Sequence, residues 1–96
     1  MLRTDIVADG PYWMRTGQIT ATTSSQIALE PDVRRHRAIF YNTDDDMTAF
    51  LMVNGTAVQN KGVVIPPGES REVVDNHAVT IVAEGSAVVG YQEIYK

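Results

Sequence analysis

The stretch VVIPPGESREVV, residues 63–74, places two β-favouring runs on either side of a turn. Pro67 presets φ near about −65° for the second position of a β-turn, and Gly68 supplies the positive φ that a type II turn requires at its third position. The chain is therefore predicted to reverse direction at Pro67-Gly68. Short strands joined by tight turns are the organisation that this segment indicates.

The chain from residue 24 onward repeats this alternation of β-favouring runs and turn residues. The runs recur about every 8–12 residues, which is typical of an antiparallel β-sandwich or barrel. The predicted strands are residues 25–29, 35–42, 47–53, 62–65, 69–74, 79–83 and 87–95. We therefore expect an all-β domain over residues 24–96, either a β-sandwich or a jelly-roll-like barrel of about seven strands.

One segment also fits a short helix. Thr43 could act as an N-cap before three acidic residues, and residues 47–52 include good helix formers. Asn54-Gly55 leaves room for little over two helical turns, and isolated helices that short are marginal. A strand is therefore the favoured prediction for residues 47–53.

Residues 1–23 differ from the rest, because they hold Gly10-Pro11, Gly17 and the only Trp and run into a Thr/Ser-rich segment at residues 20–25. We interpret them as an extended N-terminal arm. Terminal segments are often loose unless they dock. However, burying side chains such as Tyr12, Trp13 and Met14 contributes roughly 1.5–3 kcal/mol each. We therefore expect this arm to dock onto its own domain or onto a neighbouring subunit.

Length and composition restrict the possible functions. A chain of 96 residues suits one small domain, and the absence of cysteine excludes disulfides, thiol catalysis and thiolate metal sites. The 8 Lys and Arg against 12 Asp and Glu give a net charge of −4, which argues against binding nucleic acid. No apolar run approaches the roughly 20 residues of a membrane span, and the first residues lack the layout of a secretory signal.

The predicted strands carry apolar side chains on both faces. In residues 47–53, Ala49 and Leu51 lie on one face while Phe50 and Met52 lie on the other. A two-sheet sandwich buries only the inner face of each sheet, so an apolar outer face needs a cover from the arm, a loop or another chain. We expect a homo-oligomer, with a trimer as one candidate, or a structural contact surface.

Candidate catalytic or metal-binding residues are few, and no cofactor is expected. The two histidines, His36 and His77, are far apart in the sequence, and no nucleophile motif accompanies them, so the protein is not predicted to be an enzyme. Asp44-Asp45-Asp46 could offer oxygen ligands to calcium, but it departs from the EF-hand pattern. A solvated turn is the favoured interpretation of these three aspartates.

The basic run Arg34-Arg35-His36-Arg37 has two interpretations. Clustered positive charge can bind nucleic acid, but the acidic whole argues against it. Arginine suits bidentate ion pairs, so Arg34, Arg35 and Arg37 are predicted to pair with Glu30 and Asp32 or with an acidic partner protein.

The order of these segments resembles that of small β-sandwich virion proteins of tailed bacteriophages. The resemblance covers residues 24–96. It rests on the segments IAL at 27–29, RAIFYNT at 37–43, FLMVNG at 50–55 and VVIPPGE at 63–69, and on the closing region 79–93. Members of this group are capsid decoration (cement) proteins, head-fibre bases and tail-associated modules. No motif of the group maps to a binding residue, so no residue role is carried over.

The resemblance implies a capsid decoration protein that binds and stabilises a shell of major capsid protein. Its location would be the capsid surface of the virion, after assembly in the host cytoplasm, where reduced thiols are the rule. We expect Tyr12, Trp13 and Met14 to anchor the contact, since aromatic residues dominate interface hot spots. Arginines 34, 35 and 37 would then pair with acidic residues of the capsid.

A tail or fibre module that binds host glycans is the alternative function. Sugar sites combine an aromatic side chain with amide and carboxylate groups. The cluster Tyr91, Gln92, Glu93 and Tyr95 could provide such a site.

Overall fold

The computed structural model describes residues 13–95, which form eight β-strands and no helix. The strands are β1 (Trp13–Ala21), β2 (Gln26–Leu29), β3 (Arg35–Asn42), β4 (Ala49–Val53), β5 (Val63–Ile65), β6 (Ser70–Val73), β7 (Val79–Ala83) and β8 (Ala87–Tyr95). They build a first sheet in the order β1-β8-β3-β6 and a second sheet in the order β2-β7-β4-β5. All the pairings are antiparallel, so the predicted all-β sandwich is confirmed. The described residues include no helix that is long and apolar enough to cross a membrane.

The seven predicted strands correspond to β2–β8, with boundaries that differ by at most two residues. The helix alternative near residue 47 is wrong. The carboxylate of Asp44 instead accepts hydrogen bonds from the backbone N–H groups of Asp46 (2.9 Å) and Met47 (2.6 Å), which fixes a turn before β4. These two bonds lower the pKa of Asp44, because they stabilise its ionised form.

Strand β1 corrects the predicted division of the chain at residue 23. Its residues pair with β8 from Trp13 opposite Tyr95 to Ala21 opposite Ala87, without a register shift. Residues 13–21 therefore belong to the sandwich as an edge strand. The remainder of the predicted arm, residues 1–12 with Tyr12, lies outside the described residues.

The turn at Pro67-Gly68 has the predicted geometry. The backbone N–H of Glu69 donates to the carbonyl of Pro66 at 3.1 Å, and Gly68 has a φ of 75°. Strands β5 and β6 belong to different sheets, so this turn carries the chain from the second sheet to the first. It therefore closes the sandwich at one edge rather than forming a hairpin.

The core fills the space between the two sheets. Alternate side chains along each strand point to the same face, and the inward-facing ones form a single apolar cluster. Its largest fully buried members are Phe40, Leu51, Ile65, Ile81, Val79 and Val89.

The outer face of the second sheet is also apolar, and a loop of the same chain covers it. Residues 54–62 connect β4 to β5, and Ala57 in this loop packs with Phe50 and Val82, joined at the margin by Met52. Phe50 and Val82 are each only 2% exposed as a result. The cover that this face was predicted to need therefore comes from a loop.

Hydrogen bonds hold the covering loop in place. The backbone N–H of Ala57 donates to the hydroxyl of Ser25 at 3.1 Å. The hydroxyl of Thr80, which lies on the outer face, donates to the carbonyl of Gly55 at 2.7 Å. The loop is thus attached to the sheet both at its middle and near its start.

Candidate partner-binding surface

At one end of the sandwich the inner face of the first sheet changes from apolar to charged and aromatic. The register brings Tyr95 on β8 between Trp13 on β1 and Arg35 on β3, and it places Arg15 beside Glu93. These side chains share one face because paired residues of antiparallel strands point the same way. We call this group of five residues the charged end.

Arg35 is the centre of the charged end, with a fully buried side chain. Its guanidinium donates to the carbonyl of Glu30 at 2.9 Å and to the carboxylate of Glu93 at 3.4 Å. It also donates to the carbonyls of Asp75, at 3.2 Å, and His77. The prediction that Arg35 contacts a partner is therefore wrong, because its donors are consumed inside the fold.

The carboxylate of Glu93 accepts three hydrogen bonds in this network. Besides the bond from Arg35, its carboxylate accepts from the hydroxyl of Tyr95 at 2.7 Å and from Nε of Arg15 at 3.2 Å. Burial and the bond to Glu93 raise the pKa of Tyr95 to about 12, and the bond to Glu93 raises the pKa of Arg15. A fully bonded network of this kind holds its members in fixed positions.

Trp13 docks on its own domain. Its ring stacks on that of Tyr95 with the centroids 4.3 Å apart and an interplanar angle of 7°. The guanidinium of Arg34 lies 5.6 Å from the centroid of the Trp13 ring, within range of a cation–π interaction. Trp13 and Arg34, both predicted to be site residues, therefore meet at the charged end.

Two loops form the solvent-facing surface of this end. The β2–β3 loop contains Val33, which is 87% exposed, and Val74 follows β6 and is 66% exposed. A hydrogen bond of 3.0 Å from the backbone N–H of Asp32 to the carbonyl of Asn76 joins the two loops. Arg34 adds a side chain that is 64% exposed. We call Trp13, Val33, Arg34 and Val74 the terminal surface.

The other predicted site residues lie elsewhere. Arg37 forms an ion pair with Glu72 on the outer face of the first sheet. Met14 shares that face, since both Met14 and Arg37 are opposite Ile94 in the register. The terminal surface therefore includes only two of the six predicted residues, and Tyr12 is outside the described part of the chain.

Sequence reasoning missed Val33 and Val74 as surface residues. Val33 stands alone among polar residues in the segment Pro31-Asp32-Val33-Arg34, and this isolation within a turn was the available signal. Val74 was assigned to a strand, whereas β6 ends one residue earlier.

The four residues considered for glycan binding do not all share one site: Tyr91 and Gln92 line a groove together, whereas Glu93 and Tyr95 do not line it. Glu93 and Tyr95 point inward, are 4% and 0% exposed, and belong to the charged end. Gln92 points to the opposite face, because side chains alternate along β8. The structure therefore separates the polar groups that this alternative required.

Other titratable groups at this end are engaged with each other. The Asp75 carboxylate accepts from the backbone N–H of His77 at 2.7 Å, and it lies 2.6 Å from Nδ1 of the same residue. Both contacts lower the pKa of Asp75. Within residues 13–95, no group of three or more His, Asp or Glu side chains is arranged to hold a metal ion.

Comparisons with known proteins give only a general likeness. No family model and no curated protein matches the chain. A cupin-2 domain protein from Shewanella frigidimarina is 10% identical, with a TM-score of 0.49, over 92% of this chain and 74% of its own. A disulfide-linked pilus protein of Bacillus endospore appendages is 16% identical, with a TM-score of 0.48, over 99% and 98% of the two chains. Protein NMB1881 from Neisseria meningitidis is 10% identical, with a TM-score of 0.47, over 91% and 77%.

Proposed function

We propose that the protein is a structural subunit without catalytic activity, and that its terminal surface binds a larger protein assembly. The resemblance of residues 24–96 to small virion proteins makes the shell of a tailed bacteriophage the proposed assembly. The protein would then be a capsid decoration protein on the virion surface, with the major capsid protein as its partner.

The observation that carries this proposal is the exposure of Val33 and Val74 on two joined loops. Their exposed fractions of 87% and 66% are the two highest among the large hydrophobic side chains of the described residues. Apolar surface that is rimmed by polar residues is typical of protein interaction sites. Arg34 provides a polar residue beside them; its Nε lies 3.9 Å from the Asp32 carboxylate, the predicted pairing within the fold, and its exposed guanidinium can also pair with an acidic residue of the partner.

The charged end supports the proposal by holding these loops rigid. The buried guanidinium of Arg35 donates hydrogen bonds to the carbonyls of Glu30, Asp75 and His77, which lie on the two loops or next to them. Loops that are fixed before binding lose less conformational entropy when a partner docks. The network around Glu93 thus has a structural purpose, which agrees with a protein that binds rather than catalyses.

A homo-oligomer, including a trimer, stays a prediction. The covering loop over Phe50 removes one reason for it, since that outer face needs no second chain.

Co-sedimentation with capsids that lack this protein tests the proposed function. We expect saturable binding, and we expect the double variant Val33→Ser, Val74→Ser to bind about tenfold more weakly, which corresponds to about 1.4 kcal/mol. The matched control is Val88→Ser, because Val88 is a 36%-exposed valine on the outer face of the first sheet. Failure to co-sediment at any salt concentration, or equal weakening by the control, would contradict the proposal.

A further inference from the structure

A groove of about 450 Å³ crosses the outer face of the first sheet. Side chains from all four strands of that sheet line it, and the residues that matter here are Thr16, Ile39, Tyr41, Ser70, Gly90 and Gln92. Pockets that bind small ligands have volumes of roughly 300–1,000 Å³. The groove lies within that range and is separate from the terminal surface.

The floor of the groove is formed by Gly90 in the central strand β8. Glycine weakens the interior of a strand, and there it often marks a place where a ligand or another backbone approaches closely. A Cβ atom added at Gly90 would have its nearest neighbour, the carbonyl oxygen of Gly17, as far as 3.9 Å away. No contact within the described residues therefore requires a glycine at this position.

The other described glycines have closer neighbours or a positive φ angle. A Cβ at Gly17 would meet the hydroxyl of Tyr91 at 2.5 Å, and close neighbours also crowd Gly55 and Gly85. The two remaining glycines in the described range have positive φ angles. Among the described glycines with an ordinary negative φ, Gly90 is the one whose added Cβ would have no neighbour closer than 3.9 Å, and its bare backbone keeps the floor of the groove open.

The walls of the groove combine the aromatic residues Tyr41 and Tyr91 with uncharged polar groups. Tyr41, which is 48% exposed, lies directly opposite Gly90 in the register, with Ser70 on its other side. Gln92 pairs with Thr16 on one side and with Ile39 on the other. Hydroxyl, amide and aromatic groups therefore face the same opening, and none of the lining residues carries a formal charge.

We propose that this groove binds a neutral carbohydrate, a function beyond the proposed assembly role. A sugar ring presents an apolar face of C–H groups, which would stack on Tyr41 above the bare backbone of Gly90. Its hydroxyls would exchange hydrogen bonds with the amide of Gln92 and the hydroxyls of Thr16 and Ser70, groups that both donate and accept. An uncharged lining gives no electrostatic attraction to phosphate, sulfate or ammonium groups.

A second copy of this chain fits the groove less well. The core of an interface between copies is predominantly apolar, whereas the groove contains a glycine floor, hydroxyls and an amide. Self-association through this face is therefore an outcome that the experiment must be able to detect.

The test is an NMR titration of the ¹⁵N-labelled protein with neutral oligosaccharides. The probes are maltotetraose, cellotetraose, mannotetraose, galactotetraose and chitotetraose. We expect at least one of them to cause saturable shifts at the amides of Tyr41, Gly90 and Gln92. No saturable shift with any probe, or shifts confined to other residues, would overturn the proposal.

The matched variants are Gly90→Val, which fills the groove, and Val88→Ala, which alters the same face outside it. An added Cβ at residue 90 has no neighbour closer than 3.9 Å, so we expect the fold to tolerate valine. We expect Gly90→Val to bind the sugar about tenfold more weakly or worse, and Val88→Ala to bind it normally. Unchanged affinity in Gly90→Val, or groove shifts that depend on protein concentration without sugar, would contradict the assignment.

Two further measurements keep the test independent of folding and of the assembly role. If Gly90→Val does not give a folded spectrum, Tyr41→Ala takes its place, because this half-exposed side chain contributes little to the core. Both variants should co-sediment with capsids as the unaltered protein does. Loss of sugar binding with intact capsid binding thus separates the two proposals.

Discussion

The outer face of the second sheet is covered by the chain's own loop, whereas within residues 13–95 the outer face of the first sheet around Tyr41 is exposed to solvent. On the covered face Phe50 is 2% exposed, and on the open face Tyr41 is 48% exposed. Both are aromatic residues on the outer face of a sheet. The surroundings, rather than the residue type, make one a core residue and the other a surface residue.

This difference shows that an apolar outer face is not in itself evidence for a partner chain. Ala57 of the loop at residues 54–62 packs on Phe50 and Val82, with Met52 at the margin of the cluster. On the open face, the residues around Tyr41 include Gly90 and the polar side chains of Thr16, Ser70 and Gln92.

The largest expected effect comes from truncating the two aromatic residues. Phe50→Ala should lower the free energy of unfolding by about 3–5 kcal/mol, because it leaves a cavity beneath the covering loop. Tyr41→Ala should change it by less than about 1 kcal/mol, as is usual for surface substitutions. Urea denaturation of both variants measures the difference, and equal losses would show that the two faces are not distinct.

The second test compares two glycines, and it predicts that replacing them changes the free energy of unfolding in opposite directions. Gly62 ends the covering loop with a φ of 78°, and a Cβ there would collide with the carbonyl of Leu51, so Gly62→Ala should cost about 1–3 kcal/mol. Gly90→Ala on the open face should stabilise the protein by about 0.4–1 kcal/mol, because it reduces the entropy of the unfolded chain without a clash.

Thermal or urea denaturation of the two glycine variants shows whether each substitution raises or lowers the free energy of unfolding. A stabilised Gly62→Ala, or a Gly90→Ala that is clearly destabilised, would contradict the account of why each glycine is present.

The smallest effect concerns the attachment of the loop. Thr80→Val removes the hydroxyl that bonds to the carbonyl of Gly55 and should cost about 1 kcal/mol. Amide hydrogen exchange should accelerate at Ala57 in this variant, since the loop opens more often. The control is Thr16→Val on the open face, which should leave exchange at Ala57 unchanged.

Strands β2–β8 could be predicted from sequence because each combines β-favouring residues with turn residues at its ends. Strand β1 could not, because its middle residues, Arg15 to Gln18, are polar or glycine and exposed. Such a strand is specified by its pairing with β8, a contact between residues about 80 positions apart that no local pattern encodes.

The candidate site was predictable only in part for a related reason. A run of arginines predicts ion pairs, but it cannot show that Arg35 points into the fold while Arg34 points out of it. The register shift between Arg35 and Arg37, where β3 pairs with β8, is a property of the assembled sheet. Likewise, the exposure of Val74 depends on where β6 ends.

The position of β8 also affects the order in which the protein can fold. Strand β8 lies between β1 and β3, so the first sheet cannot assemble before residues 87–95 have been synthesised. Pairings between distant parts of a chain slow folding, because the loop-closure entropy must be lost before the contacts form. Until β8 has been synthesised, β1 and the edge of β3 that will pair with β8 have no partner strand. Unpaired strand edges of this kind make a nascent chain prone to aggregation.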